Sequence, residues 1–145
     1  MKFNTNKLEG VKVSPIFENE NYDSKLLEYT KSKELFIGKF NEIYVNLPYN
    51  GEKEILIGLG KRNELEEDQV REVFFKLVKV LAKHKEFEAQ ITLPKLENIS
   101  TQSIVNAAVE GALHATYKFD KYKSDRKDFP EITINLATEE KIDNI

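Results

Sequence analysis

The chain has 145 residues, 40 % of them hydrophobic and 32 % charged, which is the balance of one soluble globular domain and not of a disordered one. Its formal net charge of −3 argues against a general nucleic-acid or anionic-membrane binder, and the absence of cysteine excludes disulfides, thiol nucleophiles and thiolate zinc sites. Met1 to Gly10 is polar and reads as no secretory signal, and no apolar run approaches the roughly 20 residues that span a bilayer, so a cytoplasmic location is the expectation.

Val11 to Phe17 alternates apolar and polar residues as a half-buried strand does, with Pro15 marking an edge position or a strand end. Tyr22 to Lys33, with Leu26, Leu27 and Tyr29 among charges, predicts a short surface helix. Leu35 to Leu47 predicts two strands turning at Gly38 or at Asn41-Glu42, and Pro48-Tyr-Asn-Gly51 predicts a turn. Glu54 to Gly60 is nearly continuously apolar, the pattern of a central strand covered on both faces.

The clearest helix is expected over Glu64 to about Lys83, with Asn63 as N-cap and Glu66 completing a capping box. Val70, Val73, Phe74, Leu77, Val78 and Leu81 form one apolar face about 100° wide. Phe75 falls outside that face and is available to a second surface. Glu88 to Leu93 predicts a strand ended by Pro94. Ser100 caps a helix expected from Thr101 to about Tyr117, whose inner face is made of small residues: Ala107, Ala108, Gly111, Ala112 and Ala115. Gly111 costs about 1 kcal/mol of helix propensity against Ala, so it implies close packing. Glu131 to Leu136 predicts a last strand. Strands alternating with helices argue for an α/β sandwich with a mixed sheet.

Two stretches carry a resemblance. Glu110 to Ser124 reads EGALHATYKFDKYKS, of the form EG-x-x-x-x-x-Y-x-F-D-K-Y-K-S, and Ile57-Gly-Leu-Gly-Lys61 precedes an acidic helix start. Both resemble the amino-terminal domain of the leucyl (cytosol) aminopeptidase family. The resemblance implies a macrodomain-like three-layer α/β sandwich over residues 1–145. It also implies that catalysis, with two divalent metals (zinc, manganese or magnesium), belongs to a carboxy-terminal peptidase domain that this chain lacks. The parent enzyme would release amino-terminal residues from peptides, as a homohexamer. This domain would then be non-catalytic, dock on the peptidase domain and organise the assembly, with Phe75, Tyr117, Phe119 and Tyr122 as interface candidates.

Other chemistry is weighed residue by residue. The NTDAEGRL-type metal motif of the family does not occur. Glu64, Glu66, Glu67 and Asp68 complement a helix dipole better than they ligate a metal. Glu110 and His114 share a helix face but make only two ligands, and His84 sits at a helix end. Gly58, Gly60 and Lys61 invite an anion-loop reading, yet lack the Walker spacing and precede four acidic residues. Lys118 to Asp128 interleaves five basic and three acidic residues with aromatics. Two alternatives follow: a free-standing nucleotide or ADP-ribose module using Gly58–Lys61, and a DNA-binding accessory domain. Nucleic acid and membrane are not the expected partners.

Overall fold

The computed structural model describes residues 1–5, 7–122 and 129–139, with side chains as far as residue 117 in the last helix. Its elements are β1 (Lys2–Thr5), β2 (Val11–Phe17), α1 (Lys25–Ser32), β3 (Ile43–Asn46), β4 (Glu54–Gly60), α2 (Glu67–Lys83), β5 (Glu88–Leu93), α3 (Thr101–Tyr122) and β6 (Thr133–Thr138). The strands form one sheet in the order β1-β6-β5-β2-β4-β3. β3 runs antiparallel to β4, and the other pairings are parallel. Helices on both sides of this mixed sheet give the three-layer α/β sandwich that the sequence implies.

Strand alternation sorts the side chains into two cores. Val11, Val13, Ile55, Ile57, Ala89, Ile91, Ile134 and Leu136 turn to one face and meet Val70, Val73, Phe74, Leu77, Val78 and Leu81 of α2 and the alanines of α3. Ile16 and Leu56 turn to the other and meet Leu27 of α1 and Phe36. The second core is the smaller, because the α1 layer covers the β2–β4 part of the sheet. β4, buried from Ile55 to Gly60, is the central strand that its apolar run predicts.

α2 and α3 lie against each other, and Gly111 is the reason they come so close. A Cβ built there would stand 2.2 Å from the Arg71 carbonyl oxygen, so only glycine fits. On the opposite side of the sheet Gly58 meets the same constraint, since a Cβ there would lie 2.0 Å from the Lys39 oxygen.

Several expectations are corrected. Pro15 is not on an edge strand, since β2 lies between β5 and β4. However, β2 pairs with β5 only from Val11 to Val13, so Pro15 sits where the strand has a partner on one side alone. The predicted first strand of Leu35–Leu47 is a loop. Glu34 and Asn41 have φ of 57° and 70° and Gly38 of 100°, which no strand accepts. The helix expected from Glu64 begins at Glu67, after a 3₁₀ turn at Arg62–Glu64. Leu65 is extended and fully buried between them, and its burial interrupts the helix. The cap is therefore Glu66, whose N–H donates to the Gln69 side chain at 3.0 Å, and not Asn63. β6 begins two residues later than expected, and α3 runs beyond Tyr117 to Tyr122. β1, a parallel edge strand on β6, has no counterpart in the sequence reading.

Candidate functional site

The carboxyl ends of β2, β4, β5 and β6 open at one edge of the sheet, where their connections leave in different directions. β2 connects through α1 to β3, while β5 connects through α3 to β6 on the other face. Such a divergence leaves a crevice above the sheet edge, the place where open α/β sheets hold ligands. Here it has a volume of about 700 Å³ and is walled by Asn19 and Glu20, Arg62, Leu96 to Asn98, and Glu139.

Arg62 dominates this edge. Its Nε donates to Glu20 Oε2 at 2.7 Å, Nη2 to Glu20 Oε1 at 2.9 Å and Nη1 to the Lys95 carbonyl at 2.7 Å. The guanidinium also lies 4.3 Å from the centroid of the Phe17 ring. One side chain thus ties the exits of β2, β4 and β5 together. Hydrogen bonding to Arg62 holds the Glu20 carboxyl below its ordinary pKa, and the same bond raises that of Arg62. Beside them the Tyr22 hydroxyl accepts from the Phe17 N–H at 2.9 Å, and burial raises its pKa.

This arrangement is built to hold loops and not to receive a phosphate. Arg62 is already neutralised by Glu20, and Glu97 and Glu139 add carboxylates to the same crevice. The glycines of the anion-loop reading are committed as well. Gly58 N–H donates to the Glu42 carbonyl at 2.8 Å and Gly60 N–H to the Gly38 carbonyl at 2.9 Å, while Lys61 is exposed. A concave run of backbone donors does exist nearby, at Ile37, Gly38 and Lys39. All three N–H groups point at Glu42 Oε1, at 3.1, 3.0 and 2.8 Å, so the chain fills its own anion nest. Sequence reading missed Glu20, Glu42 and Arg62. An arginine just past the end of a central strand was the one visible signal.

The other candidates separate. Glu110 meets Arg71 Nε at 3.4 Å, whereas the His114 ring lies 5.2 Å from that of Phe75, so the two do not converge as ligands. Glu67 and Asp68 pair with Arg71 at the start of α2, and the His84 N–H closes the helix on the Val80 carbonyl. Among the described residues no three His, Cys, Asp or Glu side chains gather as a metal-binding set. Among them, too, no helix is long and apolar enough to cross a membrane.

The interface aromatics divide. Tyr117 is 60 % exposed, one turn from Leu113, which is 47 % exposed, giving α3 an apolar patch on its outer side. Phe75 packs partly against the core with His114 on one side and Lys79 5.2 Å from its ring centroid. The side chains of Phe119 and Tyr122, and most of the Lys118–Asp128 stretch, lie outside the described residues.

Comparison with known proteins adds one consistent picture. Residues 7–126 match the model of the "Cytosol aminopeptidase family, N-terminal domain". A probable cytosol aminopeptidase of Treponema denticola is 42 % identical over 139 residues, covering 96 % of this chain and 29 % of that protein. Among solved structures, a tomato leucine aminopeptidase mutant superposes with a TM-score of 0.65 at 12 % identity, over 94 % of this chain and 32 % of its own. The bottromycin maturation enzyme BotP, in complex with Mn, gives 0.63 at 16 % identity, over 90 % of this chain and 27 % of its own. At such identities the structural likeness speaks for the fold. The chain spans about 29 % of the curated relative it matches.

Proposed function

Since this chain belongs to the cytosol aminopeptidase family, as its amino-terminal domain, we propose that it is the non-catalytic part of a two-metal aminopeptidase. The observation that carries the reading is the 42 % identity over nearly the whole chain to a probable cytosol aminopeptidase. The parent protein releases amino-terminal residues from peptides in the cytoplasm, with two divalent ions that are zinc, manganese or magnesium. The Mn in the BotP complex supports that choice. In this reading the metals belong to the parent's peptidase domain, and no residue of this chain takes a step in the chemistry.

The domain docks on the peptidase domain and helps organise a homohexamer. Tyr117 and Leu113 support the docking part: two large side chains, 60 % and 47 % exposed, stand one turn apart on the outside of α3. The stretch that resembles the family signature runs through this same helix, from Glu110 onward.

Replacing the matching segment of the Treponema denticola protein by this chain tests both halves. The chimera is expected to release leucine from a chromogenic amide, while the purified 145-residue chain with added Mn²⁺ releases none. In the chimera, Tyr117→Ala is expected to lower the midpoint of heat inactivation by several degrees, about the effect of 1–2 kcal/mol at an interface. Leucine release by the isolated chain, once contaminating proteases are excluded, would refute the non-catalytic role; an unaltered midpoint in the variant would refute the docking surface.

A further inference from the structure

The outward side of α2 matches itself. At 100° per residue, Asp68, Glu72, Phe75, Lys79 and Lys83 fall in one stripe about 80° wide, opposite the buried face of the helix. Its first half is acidic and its second half basic, with Phe75 in the middle. Acid-first charge order is common on helices because it complements the dipole. Two further observations set this stripe apart.

Phe75, partly buried, lies between two hollows. One, of about 600 Å³, lies toward the basic half and the other, of about 320 Å³, toward the acidic half and His114; Phe75 and Glu72 line both. Lys79 lies with its Nζ 5.2 Å from the centroid of the Phe75 ring, but the charges beside Phe75 are not balanced by an opposite charge among the described residues. Glu72, Lys79 and Lys83 make no ion pair among the described residues. Lys76, placed at i+4 to neutralise Glu72, instead donates to the Asn41 carbonyl at 2.6 Å.

From this geometry we infer that the outer face of α2 is a contact between two copies of this chain, packed antiparallel about a two-fold axis between residues 75 and 76. In that register Glu72 of each copy faces Lys79 of the other and Asp68 faces Lys83, and each Phe75 enters the hollow beside the other copy's Lys76 and Val80. A two-fold contact makes every such pair twice. A uniformly acidic or basic partner would meet repulsion from one half of the stripe, whereas a second copy satisfies both. The helix is about 25 Å long, so its stripe buries less than the roughly 800 Å² per partner of a standard stable interface. The pairing is therefore weak and reinforces other contacts in an assembly. It extends the assembly part of the proposed role and is tested apart from docking, on the 145-residue chain itself.

Sedimentation velocity of the wild type at low salt, from about 10 µM to about 1 mM, is expected to show a concentration-dependent dimer. Lys79→Glu is expected to weaken it about tenfold, because two symmetric pairs become repulsive. The reversed pair, Glu72→Lys with Lys79→Glu, is expected to return it to within about threefold of wild type. Both substitutions are on the outer face, and unchanged circular dichroism and urea midpoints report that the fold is intact. A wild type that stays monomeric throughout overturns the inference. So does a Lys79→Glu variant that associates like wild type, or a reversed pair as weak as the single variant.

Discussion

Arg62 shows how much of a sheet edge one side chain can organise. It follows β4 and joins the ring of Phe17 and the carboxylate of Glu20, at the exit of β2, to the carbonyl of Lys95, at the exit of β5. Two parallel N–H···O bonds make the Glu20 pair stronger than an ordinary surface ion pair, though partial exposure weakens it. Folding lowers the Glu20 pKa, so the native state favours the ionised carboxyl. The stabilisation is then complete above the unfolded value, 4.5, and disappears as pH falls through the lower, folded value. Glu20→Gln is expected to cost about 1 kcal/mol in urea denaturation near neutral pH. The gap from wild type should close as the pH falls below 4.5 and through the lower, folded value, and a gap that persists in acid would place the effect in packing instead of charge.

At the scale of elements, the α2–α3 contact is set by a missing side chain. Gly111 sits in the middle of a helix, where alanine would add about 1 kcal/mol of propensity. The Arg71 oxygen 2.2 Å from the position of its absent Cβ outweighs that gain, because the oxygen belongs to backbone and a Cβ is fixed by its own backbone, so neither can swing aside. Gly111→Ala is expected to destabilise the domain by about 1–3 kcal/mol despite its better propensity, read as a lower urea midpoint at unchanged slope. A stabilised variant would mean that α3 shifts freely on α2. The loop from Phe36 to Glu42 makes the complementary point. Its three N–H groups converge on the Glu42 carboxylate, and Gly58 lets the Lys39 carbonyl approach the central strand. Neither β propensity nor turn chemistry announces a loop held in that way.

For the whole molecule, the sheet joins two unequal cores through shared strands. β2 and β4 contribute to both, with Val13, Ile55 and Ile57 on one face and Ile16 and Leu56 on the other. The α1 layer therefore cannot separate without exposing residues on strands that also carry the larger core. Urea unfolding is expected to follow a single transition, the same by far-ultraviolet circular dichroism and by tyrosine absorbance. An early phase in the signal of Tyr22 or Tyr44, which pack against the smaller core, would show that the layers unfold separately. Among the faces left outward by this arrangement are the α3 patch at Leu113 and Tyr117 and the stripe along α2, where assembly is proposed.

Periodicity by itself specified β2, β4, β5, the buried stripe of α2 and the small-residue face of α3, because burial of an alternating or 3.6-residue pattern is a local property of the chain. The Glu110–Ser124 signature likewise identified the family without any geometry. Strand order was decided only in three dimensions, and with it the one-sided pairing of Pro15 on an interior strand. So were the shift of the α2 cap from Asn63 to Glu66 and the joining of Glu20, Phe17, Lys95 and Arg62 at one edge. The strand order and the Arg62 edge turn on contacts between residues dozens of positions apart, and the cap shift on the burial of Leu65 in the core; neither leaves a regular spacing in the amino-acid order.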